Sequence, residues 1–131
     1  MKLLLIEDSP TYALYFREVC LGEIPDLICS TVRTMAAAQE ALDRELFDIV
    51  ILDLTLPDSA RERTIETITA LVSIAPVIVM TTLQNEAEAI QAINAGAGDF
   101  LLKDQITAPR MLQSIRSAID RKQRECEIQT L

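Results

Sequence analysis

The sequence predicts an α/β domain built on a parallel sheet with helices covering both of its faces. Five short apolar runs recur along the chain, and each is followed by a segment of helical pattern or capping signal, which is the signature of repeated βα units. Ile49-Val50-Ile51-Leu52 and Val77-Ile78-Val79-Met80 contain no polar residue, as strands buried on both faces require.

The first run, Leu3-Leu4-Leu5-Ile6, stops at Glu7-Asp8 and is too short for a helix, a signal-peptide core or a membrane span. Ser9-Pro10 then offers an N-cap and a first-turn proline. Tyr12, Tyr15, Phe16 and Val19 recur at helical spacing, which predicts the stripe facing the sheet and turns Ala13, Leu14 and Arg17 outward. Leu27-Ile28-Cys29 reads as the second strand, and Thr34 before Met35-Ala36-Ala37-Ala38 caps the second helix. The third run closes on Asp53, and Leu56-Pro57-Asp58-Ser59 and Arg61-Glu62-Arg63 lead into the third helix. The fourth run ends at Thr81, and Asn85 caps the helix after it. Gly96 and Gly98 end that helix and turn the chain into Phe100-Leu101-Leu102, which stops at Lys103. Thr107 precedes Ala108-Pro109 at the start of the fifth helix, where Met111, Leu112, Ile115, Ala118 and Ile119 keep helical spacing. From Asp120 to Glu125 the chain is almost solidly charged, so this helix is expected to outrun its core contact. Residues 1–121 are therefore expected to form the domain. Residues 122–131 read as a charged helical extension, or as the start of a linker to a further domain.

Composition narrows the function. At 131 residues, half of them apolar, the chain has the length of one ordinary domain with its own core. A net charge of −8 argues against direct nucleic-acid binding and against an anionic membrane surface. Partners are expected to be proteins or small ligands. Cys20, Cys29 and Cys126 are odd in number and widely spaced, which fits thiols in a reducing compartment and a cytoplasmic location.

In a parallel sheet the carboxyl ends of the strands share one edge, where ligands bind in a crevice. Glu7 with Asp8, Asp53, Thr81 and Lys103 all fall at such ends. Three carboxylates in one crevice suit a hard divalent cation such as Mg2+, which needs only one or two of them together with a phosphate oxygen. Asp8 and Asp53 are candidate direct ligands, and Glu7 a ligand through a bound water. Without a cation the cluster would be costly, since like charges a few ångströms apart raise one another's pKa. The chemistry implied is in-line attack of a carboxylate on a phosphoryl group, with Lys103 pairing the phosphoryl oxygens and Thr81 donating a hydrogen bond to the same group.

In this order and spacing these residues, with the Phe100-Leu101-Leu102-Lys103 run, resemble the receiver domain of two-component response regulators, over the chain as far as about Arg121. The resemblance implies a three-layer, doubly wound, flavodoxin-like fold with a five-stranded sheet of order 2-1-3-4-5. It implies a phospho-acceptor at Asp53, Mg2+ held by Asp8, Asp53 and the backbone carbonyl of Thr55, and a switch in which Thr81 moves toward the phosphoryl group as Phe100 rotates inward. It implies no enzymatic activity beyond accepting the phosphoryl group and slowly losing it. The chain has no histidine, so the donor is expected to be a sensor histidine kinase, a histidine phosphotransfer protein or a small phosphodonor. Receivers commonly dock such partners through the first helix, here at Ala13, Leu14 and Arg17. A C-terminal output domain and a second copy of the chain are further partners the resemblance admits.

Four positions depart from the family pattern. Arg61 falls near the usual place of a glycine, and Thr82 replaces a smaller residue beside the site. Phe100 lacks the hydroxyl of the common tyrosine. Asp104 stands where proline often follows the lysine, which removes the usual cause of a cis bond there. Two other readings stay open. A metal-dependent phosphatase with an aspartate nucleophile generally shows a second acid two residues on, where this chain has Thr55. A degenerate receiver that only binds proteins would normally have lost the acceptor, and Asp53 is present.

Overall fold

The structure is a computed structural model that describes residues 1–22, 24–54, 64–82 and 86–130. The strands are β1 (Lys2–Ile6), β2 (Ile28–Val32), β3 (Ile49–Asp53), β4 (Val77–Thr81) and β5 (Asp99–Leu102). Helix α1 (Pro10–Tyr15) runs on as a π-helical turn (Phe16–Cys20), followed in chain order by α2 (Met35–Arg44), α3 (Thr64–Val72), α4 (Glu86–Asn94) and α5 (Ala108–Thr130). All strand pairs are parallel and the sheet order is β2-β1-β3-β4-β5, with Leu3 opposite Ile49, Val50 opposite Val77 and Ile78 opposite Asp99. This is the order 2-1-3-4-5 that the resemblance implies.

Strand alternation sends successive residues to opposite faces, and each face meets its own helices. Leu4, Ile6, Val50, Leu52, Val77 and Val79 pack with Met35 and Leu42 of α2, Ile68 and Leu71 of α3 and Ala92 of α4. Leu3, Leu5, Ile49, Ile51, Ile78 and Met80 pack on the other face with Phe16 and with Met111, Ile115 and Ala118 of α5. Three layers result. β3 and β4 are buried along their whole length, as their unbroken apolar runs predict. The second strand lies further along the chain than Leu27-Ile28-Cys29 suggests, because Ser30 and Thr31 pair with Leu4 and Leu5 of β1. At the edge of the sheet those polar side chains are only partly covered, so their polarity does not exclude them from a strand.

The capping signals hold where the chain is described. Ser9 Oγ accepts from Tyr12 N at 3.2 Å, Thr34 Oγ1 from Ala37 N at 3.1 Å, and Thr107 Oγ1 from Arg110 N at 3.3 Å. Gly96 takes φ +114° just beyond α4, a conformation glycine adopts without strain. Gly98 is required by proximity instead, since a Cβ there would lie 2.8 Å from Ala118 Cβ on α5. Asp99 Oδ2 accepts from Ser114 Oγ at 2.8 Å and pairs with Arg110 at 2.9 Å, tying α5 to β5. The peptide after Lys103 is trans. Lys122 Nζ donates to Val72 O at 2.6 Å, so α5 still touches the body of the domain one residue past Arg121. Thr55, the Leu56-Pro57-Asp58-Ser59 and Arg61-Glu62-Arg63 segments and the Asn85 cap lie outside the described residues.

The first helix corrects the sequence reading. Ala13 is 6 % exposed and faces the sheet with Phe16 and Leu21, whereas Tyr15 and Val19 are 46 % and 48 % exposed. Ala13 is therefore turned toward the sheet and not outward as the spacing predicts. Leu14, 57 % exposed, and Arg17 do face outward. Two physical causes shift the stripe. A small residue lets the helix sit close to the sheet, so Ala13 occupies the contact line that the aromatic spacing assigned to Tyr12 and Tyr15. Leu21 N then donates to Phe16 O, five residues back, and the residue added by this wider turn carries burial from Phe16 to Leu21 in place of Val19.

Candidate functional site

The carboxyl ends of β1, β3, β4 and β5 converge on one edge of the sheet. Each strand end carries a different group there because each apolar run is long enough to cross the core and no longer. Glu7 and Asp8 follow β1, Asp53 closes β3, Thr81 closes β4, and Lys103 follows β5. Glu7 and Asp53 are almost wholly buried and Asp8 is half-buried. Each of the three carboxylates offers an oxygen, and these oxygens lie within 4.8 Å of one another.

Lys103 holds this cluster together. Its ammonium is 2.7 Å from Glu7 Oε2 and 3.2 Å from Asp53 Oδ2, with its side chain 15 % exposed. The other oxygen of Glu7 accepts from Ser9 N at 3.1 Å. Burial pushes the Glu7 carboxyl up to about 7 against the pull of the Lys103 ammonium, and the Asp53 charge adds to the rise. For Lys103, burial by itself would favour the neutral amine, yet Glu7 and Asp53 together outweigh it and raise its pKa. The ammonium is thus retained and the two buried carboxylates share it. The sequence treats a metal as the cation that makes the cluster tolerable. In the structure a lysine already compensates part of it.

Tyr12 completes the surroundings. Lys103 Nζ lies 4.5 Å from the centroid of its ring, and Tyr12 Oη donates to the Lys103 carbonyl at 3.3 Å. Helical spacing marks Tyr12 only as a core residue of α1, and nothing in the local pattern points to a residue 91 positions away. The direct Glu7–Lys103 pair is likewise not legible, since the sequence assigns Glu7 to a water and Lys103 to a phosphoryl group.

Thr81 is fully buried, and its hydroxyl donates to the Thr82 carbonyl at 3.3 Å. Phe100, opposite Val79, is partly buried against the core on the α2, α3 and α4 side of the sheet. The structure therefore brings together Glu7, Asp8, Asp53 and Lys103 and puts Thr81 and Phe100 on the neighbouring strands. Leu14 of α1 and Arg17 of the π-helical turn after it face outward, with Arg33 just beyond β2 beside them along one shallow cavity that reaches Glu7. Arg33 donates to the Asp8 carbonyl at 3.4 Å.

The donor set fits a hard divalent cation. It is all oxygen, carries more negative charge than one lysine neutralises, and combines two buried carboxylates with one that reaches solvent. Among the described residues no helix is long and apolar enough to cross a membrane.

Comparison with known proteins agrees with this geometry. Residues 3–116 match the sequence profile of the response regulator receiver domain. The chain is 31 % identical over 126 residues to the response regulator protein PilR of Pseudomonas aeruginosa, covering 96 % of this chain and 28 % of PilR. It is 28 % identical over 123 residues to the swarming motility regulation protein RssB of Serratia marcescens, covering 93 % of this chain and 54 % of RssB. The chain thus spans between about a quarter and a half of these relatives. Among solved structures, a response regulator receiver domain protein of Clostridium thermocellum superposes with a TM-score of 0.78 at 26 % identity, covering 93 % of this chain and 96 % of that one. The signal receiver domain of a LuxO repressor protein of Vibrio parahaemolyticus gives 0.76 at 30 % identity, covering 97 % and 95 %.

Proposed function

Because the chain belongs to the response regulator receiver domain family, we propose that Asp53 accepts a phosphoryl group from a phosphohistidine of a partner protein and that the domain passes this event on as a change of shape. The family has no separate catalytic activity. The observation that carries the reading is the buried Asp53 carboxylate, within reach of two further carboxylates and of the Lys103 ammonium at one sheet edge.

A carboxylate oxygen of Asp53 attacks phosphorus and forms an O–P bond as the P–N bond to the partner's imidazole breaks. The imidazole leaves with the electron pair and takes up a proton. Lys103, 3.2 Å from Asp53, pairs with the incoming phosphoryl oxygens as a point charge and gives up part of its contact with Glu7. Mg2+ would be held by Asp8 and Asp53 and through a water by Glu7, with the Thr55 carbonyl the further ligand that the family resemblance implies, and it would neutralise the charge on the phosphoryl group. Thr81 exchanges its bond to the Thr82 carbonyl for one to the phosphoryl group, and Phe100 moves further into the core as space opens beside it. Phe100 brings no hydroxyl that would need a buried partner.

The donor we assign is a histidine kinase or a histidine phosphotransfer protein, docking on the outward face of α1 at Leu14 and Arg17. We assign residues 1–121 to the receiver and 122–131 to a charged extension or the start of a linker to an output domain. Incubation with Mg2+ and a small acyl phosphate should add a single phosphoryl group by intact mass, and Asp53→Asn should take up none. Equal labelling of both proteins would remove Asp53 from this role.

A further inference from the structure

We propose that Tyr12 is a positioning residue for Lys103, holding the ammonium in the acidic site through its ring face and fixing the chain at Lys103 through its hydroxyl; this rests on the reading of Lys103 as the group that meets the phosphoryl oxygens.

A lysine is a poor fixed charge unless something restrains it, because its four-carbon stem is flexible and its three donors rotate. Here the ammonium is bounded on three sides. Glu7 Oε2 lies at 2.7 Å, Asp53 Oδ2 at 3.2 Å, and the Tyr12 ring centroid at 4.5 Å. The ring is itself fixed from behind: it stacks on the fully buried Phe16 with centroids 6.2 Å apart and lies 5.9 Å from the Tyr15 ring. The phenol hydroxyl reaches past the side chain to the Lys103 backbone carbonyl at 3.3 Å. One residue of α1 thus grips both ends of Lys103.

The two grips suit phosphoryl transfer in different ways. A carboxylate partner is directional, so a lysine held by Glu7 and Asp53 alone loses part of its restraint once Asp53 carries a phosphoryl group. A ring face attracts the cation through its quadrupole with little demand on which N–H points where. The ammonium can turn from carboxylate to phosphoryl oxygen while staying over the ring. The hydroxyl keeps the start of the Lys103 side chain at the edge of the sheet meanwhile.

Two measurements test this, one of them independent of phosphorylation. The chain has three lysines, Lys2, Lys103 and Lys122, so a spectrum of protein carrying 13C-lysine is readily assigned by comparison with Lys103→Met. The Lys103 ε-methylene protons should be shifted upfield by the ring. That shift should persist in Tyr12→Phe and vanish in Tyr12→Leu and in Tyr12→Met, the second apolar variant guarding against a misfolded first. In single-turnover labelling by a small acyl phosphate with Mg2+, Tyr12→Leu should lower the maximal rate about five- to tenfold, the scale of one partly desolvated cation–π contact. The donor and Mg2+ concentrations for half-maximal rate should not move, and Tyr12→Phe, which keeps the ring and loses only the hydroxyl's hold on the Lys103 carbonyl, should fall between Tyr12→Leu and wild type. In a Lys103→Met background, Tyr12→Leu should slow labelling no further, as groups acting through one another require. An unshifted Lys103 signal in wild type, or equal slowing in both backgrounds, would overturn the proposal. If wild type accepts no phosphoryl group, the functional reading fails, and the lysine spectrum still decides whether Tyr12 places the ammonium.

Discussion

Replacing Lys103 by methionine keeps most of the stem and removes only the charge, so it isolates the contribution of the ammonium to the fold. Glu7 and Asp53 have side chains 0 % and 1 % exposed, and the Lys103 side chain is 15 % exposed. Removing one partner of a buried ion pair costs about 3–5 kcal/mol, because a charge is left in a poorly solvated place. Here two carboxylates lose the same cation, which argues for the upper half of that range. Glu7 limits the damage: its carboxyl already sits at about 7, so it takes up a proton at neutral pH once the ammonium is gone. The charge on Asp53 then loses its Lys103 partner, and the expected loss is about 3 kcal/mol. In urea, where a domain of this size changes by about 1–3 kcal/mol per molar, the midpoint should fall by roughly 1–3 M. Mg2+ bound as proposed to the native site alone would restore positive charge there, so millimolar Mg2+ should raise the midpoint of Lys103→Met by more than it raises that of wild type. Equilibrium unfolding of both proteins with and without Mg2+ measures all four values. A loss under about 1 kcal/mol, or an equal gain from Mg2+ in the two proteins, would refute the view that Lys103 and a metal compensate the same charges.

Three further outcomes are expected. Thr81→Ala should leave Asp53 able to accept a phosphoryl group while the signals of Phe100 no longer change on phosphorylation; NMR of the two proteins with and without acyl phosphate decides this. Leu14→Glu should slow transfer from the cognate phosphohistidine protein by about tenfold, as loss of an interface anchor worth more than 1 kcal/mol does, and should leave labelling by the small donor unchanged. Gly98→Ala should cost about 1–3 kcal/mol in urea unfolding, because its Cβ would fall 2.8 Å from Ala118 Cβ and push α5 off the sheet.

What the sequence discloses follows from what is local. Apolar run length sets strand ends, and the residue that stops each run sits at the sheet edge wherever the strands are parallel, so Glu7, Asp8, Asp53, Thr81 and Lys103 announce a shared edge before any contact is known. Caps are equally local, since Ser9, Thr34 and Thr107 each satisfy a backbone N–H three residues away. The β2 edge strand is less legible because half-burial permits Ser30 and Thr31, and alternation weakens where one side of a strand lacks a neighbour.

Helix phase and side-chain pairing escape the sequence for separate reasons. On α1 the pattern of large apolar residues names Tyr15 and Val19, yet the line of contact is decided by how closely the backbone approaches the sheet, which favours Ala13, and by the extra residue in the turn that joins Phe16 to Leu21. A hydrophobic period assumes 3.6 residues per turn throughout, and a single wide turn breaks that assumption without any residue type that marks it. The Lys103 contacts are lost for a different cause. Glu7, Asp53 and Tyr12 come from three elements that only the sheet order brings side by side, and which of several nearby acids a flexible lysine selects depends on burial at the level of single atoms. Glu7 takes the shorter contact because it is desolvated and has one other partner, the Ser9 N–H, so the ammonium relieves more there than it would at the half-exposed Asp8. The same preference leaves Asp8 on the solvent side, where a cation arriving from water meets a carboxylate that Lys103 does not hold.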